Sequence, residues 1–202
     1  MNPLYQIWEQ RWQGSERRER LTPLGQLMFK AKEKALLSLL DAIPPGTVIE
    51  VGCGLGHILA LYHRAGRVCV GIDVSPTAIA VCQQKGLPVE LRPVEEETSL
   101  YDLVSSDGML EHFLNFEPMA CHLMRISRRH VLIIQPNHGS FMGKTLPYLA
   151  ELLRGDEIVF EYNYRIRDFI EVFQDHGFLL QESRPVFADV FRILLFARQE
   201  LP

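Results

Sequence analysis

The sequence is poor in cysteine, in long apolar runs and in surplus positive charge, and each shortage disfavours a class of protein. Its four cysteines show no Cys-x-x-Cys spacing and follow no signal peptide, which favours a reduced, cytoplasmic protein over a secreted one. No apolar run approaches the ~18 residues of a membrane span, so we expect no integral membrane segment. Lysine and arginine total 21 against 25 acidic residues, a net charge of -4. Nucleic-acid binding needs a broad basic surface, so we expect no nucleic-acid partner.

The charge is distributed unevenly along the chain. Residues 9–34 hold seven basic and four acidic residues, whereas residues 90–117 hold eight acidic residues and one arginine. Two solvated faces explain this pattern. The alternative is a basic N-terminal segment that meets an anionic substrate or a membrane surface.

The order of apolar runs predicts one α/β domain. Short β-branched runs alternate with helical segments, which is typical of βαβ units with right-handed crossovers and a parallel sheet. A final helix and two strands that meet around Pro185 predict an antiparallel pair at the C-terminal end. The predicted strands are 48–51, 68–72, 88–92, 101–106, 130–135, 178–183 and 190–198, and the predicted helices are 56–65, 76–85, 116–126 and 166–176.

Two helical segments precede the first strand. Tyr5, Trp8 and Trp12 follow helical spacing, so their rings form one face that packs on the body or walls a pocket. A second helix begins at Thr22-Pro23, which is a typical cap followed by a first-turn proline, and it ends before Pro44.

A glycine-rich turn follows the first strand and carries the first functional signal. Gly52, Gly54 and Gly56 come directly after the strand and open a helix. Glycine lets a ligand approach the backbone, and the helix N-terminus offers unpaired N–H groups to an anion. The second strand ends in Asp73, 21 residues after Gly52, where nucleotide-binding α/β folds place an acid against ribose hydroxyls.

Four motifs in this order resemble class I S-adenosylmethionine-dependent methyltransferases. They are Glu50-x-Gly-Cys-Gly-x-Gly56, Gly71-Ile-Asp73-Val-Ser, Tyr101-Asp-Leu-Val and Leu110-Glu-His-Phe113. The resemblance covers roughly residues 25–198 and is greatest to the type 11 small-molecule group, which includes quinone-biosynthesis methyltransferases. An NAD dehydrogenase prefers Gly-x-Gly-x-x-Gly, whereas the third glycine here comes one position early. The resemblance implies a Rossmann-like three-layer sandwich with a seven-stranded, mostly parallel sheet and an antiparallel C-terminal strand.

The resemblance also implies a binding site for S-adenosyl-L-methionine. Glu50 would help to hold the ammonium group, and Asp73 would accept hydrogen bonds from the ribose hydroxyls. Each has a structural alternative, because Glu50 could cap a neighbouring loop and Asp73 could cap the helix after it. Val94 and Glu95 fall where the adenine pocket is expected. The full set of expected cofactor contacts is Glu50, Gly52, Cys53, Gly54, Gly56, Asp73, Val74, Val94, Glu95, Ser106 and Asp107.

Glu111 and His112 are the candidate catalytic residues. A histidine that titrates near neutral pH could take a proton from a substrate hydroxyl or amine as the methyl group is transferred. Its alternative role is to orient the loop by hydrogen bonds. Some quinone-pathway relatives place a glutamate three residues before the Glu-His pair and bind a metal through all three residues. Gly108 occupies that position here, so we expect no metal site.

The predicted protein is a single domain that methylates a small organic acceptor. Residues 1–45 would form a helical cap, 46–135 the cofactor-binding half, 136–165 an insertion over the site, and 166–202 the final helix and strand pair. The alternatives are a non-catalytic binder of S-adenosylmethionine or S-adenosylhomocysteine, or a protein or RNA methyltransferase. The last is disfavoured because Ser105-Ser106-Asp107-Gly108 does not match the Asn/Asp-Pro-Pro-Tyr/Phe motif of amide-nitrogen enzymes. The oligomeric state and the acceptor are left open.

Overall fold

The computed structural model describes residues 3–13, 23–44, 46–145 and 161–199. Its centre is a seven-stranded sheet in the order β3-β2-β1-β4-β5-β7-β6. Neighbouring strands are parallel from β3 to β5, and β7 is antiparallel to both β5 and β6. The strands are β1 (Thr47–Val51), β2 (Val68–Asp73), β3 (Val89–Leu91), β4 (Tyr101–Asp107), β5 (Ser127–Pro136), β6 (Phe178–Val186) and β7 (Phe191–Arg198).

Helices cover both faces of this sheet. The described helices are α1 (Pro3–Trp12), α2 (Pro23–Leu40), α3 (His57–Arg64), α4 (Pro76–Gln84), α5 (Glu117–Arg125) and α6 (Ile166–Asp175). One apolar core joins Ile133 and Val104 of the sheet to α5 and α6. The other joins Leu132 and Leu103 to α2 and α3. Successive strand residues point to opposite faces, so the predicted three-layer sandwich is confirmed.

The strand boundaries differ from prediction where the sheet has an edge or a turn. Pro185, expected between two strands, lies inside β6. β6 is an edge strand, where a proline's missing N–H group is tolerated. The chain reverses instead at Phe187, Ala188 and Asp189, which all have positive φ angles. β3 is shorter than expected and has only three residues.

Only part of the predicted insertion lies among the described residues. Residues 141–145 are helical, and residues 161–165 lead into α6. The middle of the predicted insertion, residues 146–160, lies outside the described residues, as does the predicted cap Thr22. Among the helices that the structure describes, none combines the length and the apolar character that crossing a membrane requires.

Candidate active site

A cavity of ≈ 330 Å³ opens at the carboxyl ends of the parallel strands. Open α/β sheets bind their ligands at this edge. Residues from the turn after β1, the end of β2, the segment after β3 and the end of β4 line it, together with side chains from α1 and α2. The topology therefore gathers most of the sequence-predicted site residues around one space.

The glycine turn contributes two of its three glycines to this cavity. Gly52 and Gly54 line it, and both have positive φ angles, of 69° and 50°. The Gly52 and Cys53 amides donate to the Ile72 carbonyl at 2.9 and 3.1 Å, which fixes the turn against β2. A Cβ on Gly54 would lie 3.0 Å from the Trp12 ring, so this position has room only for glycine.

Gly56 has a packing role that the sequence analysis missed. It is not among the described residues that line the cavity. A Cβ there would lie 2.6 Å from Leu87 Cδ1 and 2.8 Å from Cys82 Sγ, and its φ angle is +75°. Gly56 therefore packs closely against Cys82 of α4 and against Leu87, and its expected contact with the cofactor stays a prediction.

Asp73 lines the cavity, but its carboxylate also builds the turn. Its Oδ2 accepts a hydrogen bond from the Gly54 amide at 2.8 Å, and its Oδ1 accepts one from the Ser75 amide at 2.9 Å. The residue is 7% exposed. Burial raises the pKa of Asp73, while the backbone N–H groups of Ser75 and Gly54 counteract that rise. Each carboxylate oxygen has a further lone pair that could accept a hydrogen bond from a ligand. The expected contact with the ribose stays a prediction.

Glu50 is a buried carboxyl group with an unsatisfied oxygen. It lines the cavity at 2% exposure, and Oε2 has no hydrogen-bond partner among the described residues. Burial, and next the charge of Asp107, raise its pKa well above the usual range. A buried carboxyl group in this state is stabilised by an arriving cation or hydrogen-bond donor.

The segment after β3, which was predicted to form the adenine pocket, lines the cavity. Val74 and Val94 line the cavity, and Val94 is 4% exposed at the start of a 3-10 turn (Val94–Glu96). Glu95 also lines it, and its Oε1 accepts a hydrogen bond from the Tyr5 hydroxyl at 2.7 Å. Cys53, another expected cofactor contact, also lines the cavity and is 5% exposed.

Ser106 and Asp107, at the end of β4, were both expected to contact the cofactor, but their side chains have different surroundings. Ser106 is fully buried, and its hydroxyl donates to the Val51 carbonyl at 2.9 Å. The described residues that line the cavity do not include it. In this structure the Ser106 side chain links β4 to β1, and its expected cofactor contact stays a prediction. Asp107 does line the cavity and pairs with Lys32 of α2 at 2.8 Å.

Lys32 is a site residue that the sequence analysis missed. Its ammonium group bonds both oxygens of Asp107, at 2.8 and 3.0 Å, and lies 4.1 Å from the centre of the Phe191 ring. Lys32 lies on α2, within the basic stretch at residues 9–34, for which a solvated face or a contact with an anionic substrate or membrane surface was predicted. No local signal distinguishes it from the neighbouring lysines of α2.

Glu111 and His112 form a short 3-10 turn (Leu110–His112) after β4, and both line the cavity. Glu111 is 3% exposed, and its Oε2 has no partner among the described residues. Burial, and then the charges of Glu161 and Asp107, raise the pKa of Glu111 to about 8. His112 Nε2 lies 4.0 Å from Glu111 Oε1.

Helix α1 forms one wall of the cavity. The Trp8 ring meets the His112 ring edge-on at 4.7 Å, and Trp12 lies against Gly54. Glu9 fastens the helix to α4, since its carboxylate accepts hydrogen bonds from the Ser75 hydroxyl at 2.5 Å and the Thr77 hydroxyl at 2.6 Å. The aromatic face predicted for this segment therefore walls the pocket, one of the two roles considered for it.

Glu161, from the segment before α6, completes a cluster with Glu111 and His112. Each residue offers one oxygen or nitrogen atom, and these atoms lie within 4.8 Å of one another, close enough to surround a cation. No metal was expected here, because Gly108 stands where some quinone-pathway relatives have a glutamate. Glu161 brings a carboxylate to the same place from a distant part of the chain, so that expectation stays untested.

Comparison with known proteins agrees with this geometry. A family model described as a methyltransferase domain matches residues 17–183. The 18S rRNA guanine-N7 methyltransferase of Schizosaccharomyces pombe is 30% identical over 82 residues, covering 41% of this chain and 28% of that protein. The ubiquinone biosynthesis O-methyltransferase of a Methylobacterium strain is 31% identical over 91 residues, covering 39% and 36%. The matches span about a third of the length of these curated relatives.

A solved structure resembles the whole chain. Magnesium protoporphyrin IX methyltransferase from Synechocystis, crystallised with bound S-adenosylhomocysteine, superposes with a TM-score of 0.76. The match covers 97% of this chain and 98% of that one at 18% identity. At this identity the likeness shows a shared fold.

Proposed function

The chain belongs to the methyltransferase-domain family, within the class I S-adenosylmethionine-dependent enzymes, and we propose that it transfers a methyl group from S-adenosylmethionine to a small organic acceptor. The acceptor atom would be an oxygen, a nitrogen or a carbon. The observation that carries the proposal is the unpartnered Glu50 oxygen, buried in a cavity that Gly52, Gly54 and Asp73 also line.

The residues present fit the cofactor. Adenosylmethionine has an ammonium group, a ribose diol and a flat base, and each needs a different environment. Glu50 offers a buried carboxyl oxygen to the ammonium group. Asp73 lies at the end of β2 for the ribose, and Val94 offers an apolar surface to the base. Gly52 and Gly54 keep the backbone close to the ligand.

The chain's own contribution to the reaction is to orient the acceptor and to manage its proton. The bound cofactor supplies a methyl group that a positively charged sulfur already activates. Much of the acceleration then comes from alignment, because the acceptor and donor are held in one cavity. We assign proton removal to Glu111 and His112, which touch the same cavity at its acceptor side. A pKa near 8 for Glu111 suits proton exchange near neutral pH.

The rRNA methyltransferase among the relatives makes RNA an alternative acceptor. Against it stand the net charge of -4 and the acidic stretch at residues 90–117, because RNA binding is dominated by phosphate contacts with lysine and arginine. Methyl transfer assays with an RNA pool therefore belong beside the small-molecule panel. Incorporation of label into RNA would replace the small-molecule proposal.

Calorimetry with S-adenosylhomocysteine tests the cofactor site. We expect micromolar binding to the wild type and a loss of about tenfold or more in Asp73→Asn, because the amide replaces an acceptor oxygen with a donor that faces backbone N–H groups. Asp102→Asn is the matched control: Asp102 also accepts hydrogen bonds from backbone and side chain, at Thr47, but at the opposite end of β4. Equal binding by the wild type and Asp73→Asn would contradict the assignment.

Turnover separates an enzyme from a non-catalytic binder. Methyl-labelled cofactor would be incubated with a panel of phenols, quinones, amines and carboxylic acids, with release of S-adenosylhomocysteine as the readout. Tight cofactor binding without turnover on any panel member or RNA would favour the binder.

A further inference from the structure

Two carboxyl groups in the cavity keep a buried oxygen without a partner among the described residues. They are Oε2 of Glu50 and Oε2 of Glu111, in residues that are 2% and 3% exposed. A buried polar atom without a partner destabilises a protein by about 1–3 kcal/mol, so each oxygen is available to a ligand that enters the cavity. The ammonium group of the proposed cofactor would satisfy Glu50. The Glu111 oxygen is available to a second ligand.

The surroundings of Glu111 indicate the charge of that ligand. Glu161 and His112 bring their polar atoms within 4.8 Å of the Glu111 carboxyl group. Asp107 and Glu161 add negative potential at Glu111. Among the described residues, three cations line the cavity, and each has partners: both oxygens of Asp107 engage Lys32, Arg92 pairs with Glu90 and Glu97, and Arg11 lies over the Trp8 and Trp12 rings. His138 Nε2 lies 3.5 Å from Glu161 Oε2. A carboxylate or phosphate would therefore be repelled, whereas a positive group with N–H donors would be bound.

Aromatic rings line the cavity beside this cluster. Trp8 packs against His112, and Phe113 follows it in the chain and lines the same space. The Arg11 guanidinium lies over the Trp8 ring, 5.4 Å from its centre, so the contribution of these rings is apolar surface for the hydrocarbon part of an organic amine. Carboxylates on one side and aromatic rings on another are the combination that binds an organic ammonium group.

We propose that the acceptor is an organic amine, that its nitrogen lies between Glu111 and Glu161, and that the reaction is N-methylation. This inference rests on the proposed function and names the acceptor class of the same site. The amine loses one proton to the Glu111 carboxylate and becomes nucleophilic. Its lone pair then forms the nitrogen–carbon bond to the methyl group while the carbon–sulfur bond breaks and leaves its electron pair on sulfur. The methylated nitrogen takes over the positive charge of the sulfonium, which becomes a neutral thioether, and Glu111 returns its proton to solvent.

A divalent metal ion would use the same oxygen atoms, so the test has to separate two sources of positive charge. The protein would be saturated with S-adenosylhomocysteine and titrated by calorimetry with 2-phenylethylamine, its neutral isostere 2-phenylethanol and its anionic counterpart phenylacetate, each with chelator present. We expect the amine to bind about tenfold or more tightly than either counterpart. Equal or absent binding of all three would overturn the proposal.

Variants locate the amine. Glu111→Gln keeps the shape of the side chain and should abolish the preference for the amine, and Glu161→Gln, at a half-exposed position, should weaken it without a risk to folding. Glu182→Gln makes the same charge change on β6, outside the cavity, and should leave the preference intact. An unchanged preference in Glu111→Gln would overturn the proposal.

Two further experiments, on turnover and on metal binding, complete the test of the amine proposal. Tyramine carries a phenol and an amine on one molecule, so mass spectrometry of the product locates the methyl group, which we expect on nitrogen. O-methylation, or binding of Mg²⁺ or Zn²⁺ that Glu111→Gln removes and that activity requires, would overturn the amine assignment. If the folded wild type did not bind S-adenosylhomocysteine, the proposed function itself would be refuted. Failure of the amine proposal and failure of the proposed function are therefore distinguishable.

Discussion

Gly56 offers a sharp test of how the glycine turn works, because the motif predicts a ligand contact and the structure shows a packing contact. In Gly56→Ala, the new Cβ would collide with Leu87 and Cys82 at 2.6 and 2.8 Å, in a backbone with φ of +75°. A left-handed backbone costs a non-glycine residue about 1–2 kcal/mol, and overpacking adds about 1–3 kcal/mol. We expect a total loss of about 2–5 kcal/mol in the free energy of unfolding.

Gly86→Ala is the matched control. Gly86 has a φ angle of +70°, but a Cβ there would meet nothing within 4 Å. This variant should therefore lose only the backbone contribution, about 1–2 kcal/mol. Urea unfolding, with the same m-value in all variants, measures both changes.

The affinity for S-adenosylhomocysteine completes the test. Because Gly56 is absent from the described cavity lining, the folded Gly56→Ala protein should bind within about threefold of the wild type. Gly52→Ala, at a lining position, should bind more weakly. If Gly56→Ala were as stable as Gly86→Ala and yet lost affinity about tenfold, the packing explanation would be refuted.

Three further predictions concern charged residues. Although burial opposes it, hydrogen bonds from Ser75 and Thr77 lower the pKa of Glu9 to about 2, so its contribution is present above about pH 4.5 and lost as the pH falls toward 2. Acid unfolding should be less steep in Glu9→Gln, and identical acid curves would contradict this. Lys32→Met leaves Asp107 without its ammonium partner and should lower the free energy of unfolding by about 1–3 kcal/mol in urea titrations; unchanged stability would show that the pair contributes nothing. Because burial raises the pKa of Glu111 to about 8 from an ordinary 4.5, the stability of the ligand-free protein should fall as the pH rises through that range, and Glu111→Gln should flatten the fall. Parallel pH curves for variant and wild type would refute the shifted pKa.

The sheet and the cofactor half of the cavity were predictable because their signals are local. A strand, a glycine turn and a helix lie within about twenty residues, and their geometry follows from backbone conformation and apolar spacing. The same local logic placed Asp73 at the end of β2. It did not indicate the surroundings of the Ser106 side chain, because alternation along β4 decides which side chains face the cavity, and the predicted end of the strand was one residue early.

The long-range contacts around the cavity could not be predicted, because they join distant parts of the chain. Lys32 meets Asp107 across 75 residues, Glu9 meets Ser75 across 66, and Tyr5 meets Glu95 across 90. No periodicity in the sequence encodes such pairs. A charged residue on a helix is predicted to face solvent unless its partner in the fold is known. The tertiary fold alone brings these partners together.

Glu161 shows what this means for inferring chemistry from a motif. Position 108 is a glycine where a metal-binding relative would have a glutamate. The local pattern therefore predicts a site with too few carboxylates to hold a cation. The fold brings Glu161 to the Glu111–His112 turn, where the Tyr162 amide also donates to the Glu111 carbonyl at 2.8 Å. That backbone hydrogen bond joins the segment to the Glu111 turn, and His138 Nε2 lies 3.5 Å from the Glu161 carboxylate. If Glu161 serves the acceptor, moving its charge by one methylene in Glu161→Asp should weaken amine binding while leaving S-adenosylhomocysteine binding unchanged. Equal loss of both ligands would instead assign Glu161 to the shape of the whole cavity.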